Sequence, residues 1–183
     1  YLGMTVNHQW SKSSEFEDMF HSYVHSFITP DITYFSLLRP FSELEITRKF
    51  ADYPNYFHLF SSCNRNFSIQ KTSELLWCGE CPKCAFVFLM LAAVTDKKTV
   101  NDIFHKNLFA EQTLVHLYRA LSGVADIKPF DCVGTFEEVR EAMKKVKDTH
   151  EFGDDVVMKI YENEIKEKFA DDKQVTHDTY NIP

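Results

Sequence analysis

Three cysteines within seven residues, Cys78, Cys81 and Cys84, run directly into the apolar stretch AFVFLMLAAV. The C-x-x-C-x-x-C spacing lets neighbouring thiolates share one ion while tight turns aim backbone amides at the sulfurs. Gly79 and Pro82 suit such turns. A fourth sulfur would close a tetrahedral four-cysteine zinc site. Cys63, with fourteen residues between it and Cys78, is the nearest in sequence. Cys132 competes for the position, but the chain must pass through at least two helices to bring it back. An iron–sulfur cluster is the second reading, and buried free thiols ahead of a core helix the third. Five cysteines, an odd number with three in one knot, do not make a disulfide framework. They read as a reduced, cytoplasmic protein.

The 16-residue apolar-rich run from Cys81 to Asp96 is too short, and too interrupted by Pro82, Lys83 and Asp96, to span a bilayer. A helix apolar on all sides belongs in a core. With 44% apolar residues and 17 Phe, the chain can build one. The net charge of −7 argues against a broad phosphate-backbone surface, so no nucleic-acid partner and no membrane partner are expected. The opening YLGMTVNHQWSK carries no apolar leader, and a start at Tyr1 without Met reads as a fragment.

Periodicity gives an amphipathic helix over 13–27, opened by Ser13 and closed by Pro30. The β-branched and aromatic run ITYFSLL, 32–38, reads as a buried strand. Ser42 followed three residues later by Glu45 is a capping box for a helix over 42–53. YFHLFSSC, 56–63, reads as a second short strand. Strand, helix, strand is the end of a βαβ unit. Helices follow at 82–95, 98–106, 111–122, 136–149 and 154–168. The expected fold is therefore α/β but mostly helical: about two strands closing a parallel sheet, a four-cysteine zinc knuckle and a five-helix cap. The expected divisions are an α/β part at 1–80, a helical part at 81–170 and a flexible tail at 171–183.

SLLRPFSELEITRKFADYPNYFHLFSSCNRNF followed by WCGECPKC resembles the C-terminal part of PP-loop ATP pyrophosphatases of the 7-cyano-7-deazaguanine synthase type. There a Cys and a C-G-x-C-x-x-C bind one zinc, which implies Cys63, Cys78, Cys81 and Cys84 here. Five blocks taken in order are more specific: VNHQWSKS, LRPFSELEI, SCNRNF, WCGECPKCAFVFL and KPFDCVGT. They resemble the MurL-type family of muramoyl-peptide epimerases over roughly residues 4–150. The resemblance implies use of ATP and Mg²⁺ and a UDP-muramoyl-dipeptide substrate whose terminal L-Glu becomes D-Glu. It implies the C-terminal portion of such an isomerase, because no S-G-G-x-D-S segment occurs in the 183 residues. Two readings remain: part of a longer enzyme, inactive alone, or a relative without ATP chemistry. The alternatives by function are part of a PP-loop enzyme acting on a nucleobase or tRNA, and a non-catalytic zinc-stabilised interaction domain.

Inverting a glutamyl centre needs a base, an acid on the opposite face and cationic groups for the carboxylates. His8 is a candidate base or phosphate contact, or an ordinary surface histidine. Lys12 is a candidate phosphate contact or a solvated lysine. Arg39, after the expected strand, is a candidate for bidentate substrate contact or for an ion pair with Glu43 or Glu45. Asn64 and Arg65 would be held toward substrate by ligation of Cys63. Lys83, inside the knuckle, is a candidate anion contact, and Cys132 a candidate reactive thiol or a small buried hydrophobe.

Overall fold

The computed structural model describes residue 3 and residues 9–66, 75–125, 127–129 and 132–170. The expected tail at 171–183, with His8, lies outside the described residues. The chain forms two compact units, one reaching Phe41 and the other beginning at Ser42.

In the first unit, a 3-10 turn over Trp10–Lys12 leads into helix α1, Ser14–Phe27. Ser13 caps α1, its Oγ accepting the Phe16 N–H at 3.2 Å, and Glu15 and Glu17 favour the positive end of the dipole. Trp10, Phe16, Phe20 and Tyr34 form a chain of ring contacts with centroids 5.2, 5.6 and 4.8 Å apart.

No β-strand occurs among the described residues, so the expected end of a parallel sheet is corrected to a helical architecture. Residues 32–38 run as irregular chain into a turn, with Ile32, Tyr34, Leu37 and Leu38 exposed rather than buried. The Arg39 N–H donates to the Ser36 carbonyl at 3.2 Å and the Phe41 N–H to Leu38 at 3.1 Å, bonds that curl the chain. A β-branched run becomes a strand only when a neighbouring edge takes its N–H and C=O groups. The second expected strand fails for a local reason. Pro54 opens a 3-10 turn over Pro54–Tyr56, further turns follow, and the chain then runs irregularly to Cys63.

The second unit is built around α3, Pro82–Ala92. Cys84, Ala85, Phe86, Phe88, Leu89, Met90, Leu91 and Ala92 are all buried, as a helix apolar on every side requires. Each large apolar side chain there contributes about 1.5–3 kcal/mol. Helices α2 (Glu43–Ala51), α4 (Lys97–Phe104), α5 (Val115–Leu121) and α6 (Phe136–Thr149) pack against it. Helix α7, Val156–Ile160, continues into a π-helical turn over Tyr161–Ile165. The five-helix cap is thus present as α3 to α7. Rings of Trp77, Phe88, Phe104, Phe109, Tyr118 and Phe152 interlock in the core, mostly edge to face. The buried Tyr118 hydroxyl donates to the Ala85 carbonyl at 3.2 Å.

Candidate metal centre

Two segments meet at the N-terminus of α3. Residues 61–66 lie beside 75–80, laced by side chains that bond to backbone. Ser61 Oγ donates to the Leu76 carbonyl, and Asn66 Nδ2 donates to both Leu75 and Leu76. This lacing carries Cys63 to the knot of Cys78, Cys81 and Cys84. The four Sγ atoms lie within 4.8 Å of one another, close enough to hold one metal ion. Measured separations are 4.0 Å for Cys63–Cys81, 3.7 Å for Cys78–Cys84 and 3.5 Å for Cys81–Cys84. A tetrahedron with Zn–S bonds of about 2.3 Å has an edge of about 3.8 Å, so the donor set fits a tetrahedral thiophilic ion.

Backbone amides point at these sulfurs. The Cys78 N–H donates to Cys63 Sγ and the Glu80 N–H to Cys78 Sγ, each at 3.4 Å. Cys84 and Asn64 direct amides at Cys81, and Gly79 directs one at Cys84. Such bonds stabilise thiolate over thiol. The Cys84 hydrogen bond first, then the Cys84 and Asn64 amides, draw the Cys81 thiol down to about 4 against its burial. The same bond with Cys81, then burial, drives Cys84 far up. Burial leads in raising Cys78.

The remaining candidates fall as follows. Arg65 is exposed and pairs with Glu80, joining the Cys63 loop to the Cys78–Cys81 turn. Glu80 first, then the Cys78 sulfur, hold its guanidinium charged. Asn64 is exposed beside it. Lys83 Nζ donates to the Cys132 carbonyl, which brings these two together. Cys132 is half-buried and does not join the sulfur cluster, so Cys63 takes the fourth position. In the first unit, Arg39 pairs with Glu17, an acid that sequence spacing does not bring to mind. Its Nη2 lies 2.8 Å from Glu17 Oε2, and its guanidinium also donates to the Lys12 carbonyl. Lys12 itself is exposed.

One group escaped the sequence reading. Glu138, buried at 5% exposure, caps two helices at once. Its Oε2 accepts the Thr135 N–H at 2.8 Å at the head of α6, and its Oε1 accepts the Glu43 N–H at 3.0 Å at the head of α2. The T-x-x-E spacing of Thr135 and Glu138 announces the first bond. Nothing local announces the second. Burial, then the Glu138 charge, push the Glu43 carboxyl up, while Lys83 pulls it down.

The sequence profile of the MurL C-terminal domain matches residues 59–176, which takes in the whole sulfur cluster and α3 to α7. The chain belongs to the MurL family. The profile of the MurL N-terminal domain matches residues 1–37. Three curated MurL relatives carry the name UDP-N-acetyl-alpha-D-muramoyl-L-alanyl-L-glutamate epimerase. The Xanthomonas oryzae protein is 45% identical over 162 residues, covering 88% of this chain and 36% of that protein. The Micromonospora protein is 38% identical over 165 residues, 90% of this chain and 37% of its own length. The Salinispora tropica protein is 41% identical over 136 residues, 74% and 30% respectively. The chain therefore spans about a third of the length of the curated MurL relatives it matches. No solved structure matches it. No helix among the described residues is long and apolar enough to cross a membrane.

Proposed function

We propose that this chain is the metal-stapled portion of a cytoplasmic, ATP-dependent isomerase. Its substrate is UDP-N-acetylmuramoyl-L-alanyl-L-glutamate, whose terminal L-Glu it converts to D-Glu for peptidoglycan precursors. The observation that carries this is 45% identity, over 88% of the chain, to a protein named as that epimerase. The chemistry explains a need for ATP. A carboxylate beside the glutamyl Cα opposes carbanion formation. ATP with Mg²⁺ supplies activation of that carboxyl, which removes the charge and makes the Cα proton removable.

Zinc is the ion we assign to Cys63, Cys78, Cys81 and Cys84, on the tetrahedral spacing of the sulfurs. All four positions are protein ligands, which makes the site structural rather than hydrolytic. It holds the Asn64–Arg65 loop against the knuckle. We assign these two side chains to substrate carboxylate or phosphate, with Arg65 exchanging Glu80 for the ligand. Arg39 and Lys12 serve as anion contacts on the first unit, and Lys83 on the second. His8 and Cys132 are the proposed proton-transfer groups.

The test uses a protein that combines this segment with the full length of its relatives. It is incubated with ATP and UDP-muramoyl-L-Ala-L-Glu. Acid hydrolysis and chiral separation should then show D-Glu formed only with ATP, and Arg65→Ala should lower the yield at least tenfold. Unchanged L-Glu under those conditions overturns the assignment.

A further inference from the structure

We infer that Lys106 is an outer-shell cation of the sulfur centre, set over the Cys78–Cys81 turn to offset the charge of a tetrathiolate. The inference rests on the metal reading above. Four thiolates around a divalent ion carry a net charge of −2. Amide hydrogen bonds lower the cost of that charge, and nearby cations lower it further.

Among the described residues, three cationic side chains belong to segments around the centre. Two have partners of their own: Arg65 pairs with Glu80 while also lying within the field of the Cys78 sulfur, and Lys83 donates to the Cys132 carbonyl. Lys106 differs. It follows His105, which ends α4 in the left-handed conformation at φ 58°, and that turn sends the chain back toward the knuckle. A Cβ built on Gly79 would fall 2.5 Å from Lys106 Cε and 3.4 Å from Nζ. The lysine stem therefore lies directly on the backbone between Cys78 and Glu80, in space a side chain at position 79 would fill. Its ammonium has no hydrogen-bond or ion-pair partner among the described residues. A half-buried lysine laid against a glycine turn, with no carboxylate to meet, is placed to act on the sulfurs by its field.

The same geometry gives Gly79 a second duty. Its φ of +67° suits glycine, and its missing side chain is what admits the lysine. Lys106 is a positioning residue for the centre and not a ligand, since an ammonium has no lone pair to give.

The test measures metal binding by the full 183-residue chain. Zinc affinity is read by competition with a chromophoric chelator at low and at high salt, for the wild type, Lys106→Met and Lys106→Arg. Met keeps the stem and removes the charge. Lys106→Met is expected to weaken zinc about tenfold at low salt, toward the lower end of outer-shell effects because the group is partly solvated. Salt at about 0.5 M should shrink that difference to under about threefold. Lys106→Arg should bind within about threefold of wild type. Equal affinity of Lys106→Met and wild type at low salt overturns the inference. So does a loss that salt does not reduce and Arg does not restore, which would mean the stem acts by packing alone. Wild-type chain that takes up no zinc overturns the metal reading itself.

Discussion

Glu43 sits at the first turn of α2 with its own amide given to Glu138 and its carboxyl close to the same acid. Its folded-state pKa is raised, by burial before charge repulsion. A carboxyl raised on folding contributes most below its unfolded pKa, and that contribution is lost as pH rises through the folded value. Ionised Glu43 is therefore a cost near neutrality. Glu43→Gln should stabilise the second unit at pH 7, by under about 1 kcal/mol because solvent reaches the residue and screens the repulsion. The gain should vanish below about pH 4.5, where the native carboxyl is already protonated. Urea titrations at the two pH values check the sign. At this scale the sequence spoke clearly for the Cys78–Cys81–Cys84 knot and for the caps Ser13 and Ser42, because each acts within a few residues of itself. It was silent on the Arg39–Glu17 pair, which spans 22 residues, and on Lys106, whose role depends on a left-handed histidine rather than a glycine.

Helix ends decide much of the architecture. The Ser42–Glu45 box forms as the spacing predicts, with the Ser42 N–H donating to Glu45 Oε2 at 2.8 Å. Thr135 and Glu138 repeat it, but there the acid also reaches α2. Glu138→Ala takes the acceptor from two part-buried amides at helix N-termini and should cost about 1–3 kcal/mol. Glu141→Ala removes only the 3.6 Å pair with Lys145 and should cost under about 0.5 kcal/mol. Denaturation midpoints of the two variants give the comparison. The helices were legible because caps and 3.6-residue periodicity are local signals. The strands were not, because 32–38 has a strand's composition without a strand's neighbour. Hydrogen bonds from Arg39 and Phe41 curl the end of that segment and the start of the next instead. The pattern over 154–168 is that of one continuous helix, yet the chain slips into π geometry at Tyr161, a change of hydrogen-bond register that side-chain pattern does not encode.

Across the molecule, the sulfur centre and the core are continuous. Cys81 is the N-cap of α3 and Cys84 lies in its first turn, while Trp77, one residue from Cys78, packs on Phe60 and Phe104. An ion held by the four sulfurs would pin the start of the central helix, so on the zinc reading metal and fold should fail together. Elemental analysis should return one zinc per chain. Stripping it with a strong chelator should lower the melting temperature of the second unit by at least about 10 °C, and re-addition should restore it. A melting curve indifferent to chelation would separate the core from the centre.

The sulfurs are not equally sheltered. Cys63, Cys81 and Cys84 are closed off by the core, while Cys78 stands partly open. A chelator, an oxidant or an incoming ion therefore meets the cluster from one side. For an ion held there, exchange would begin by prising away that single thiolate, and its tempo would be set at that one doorway.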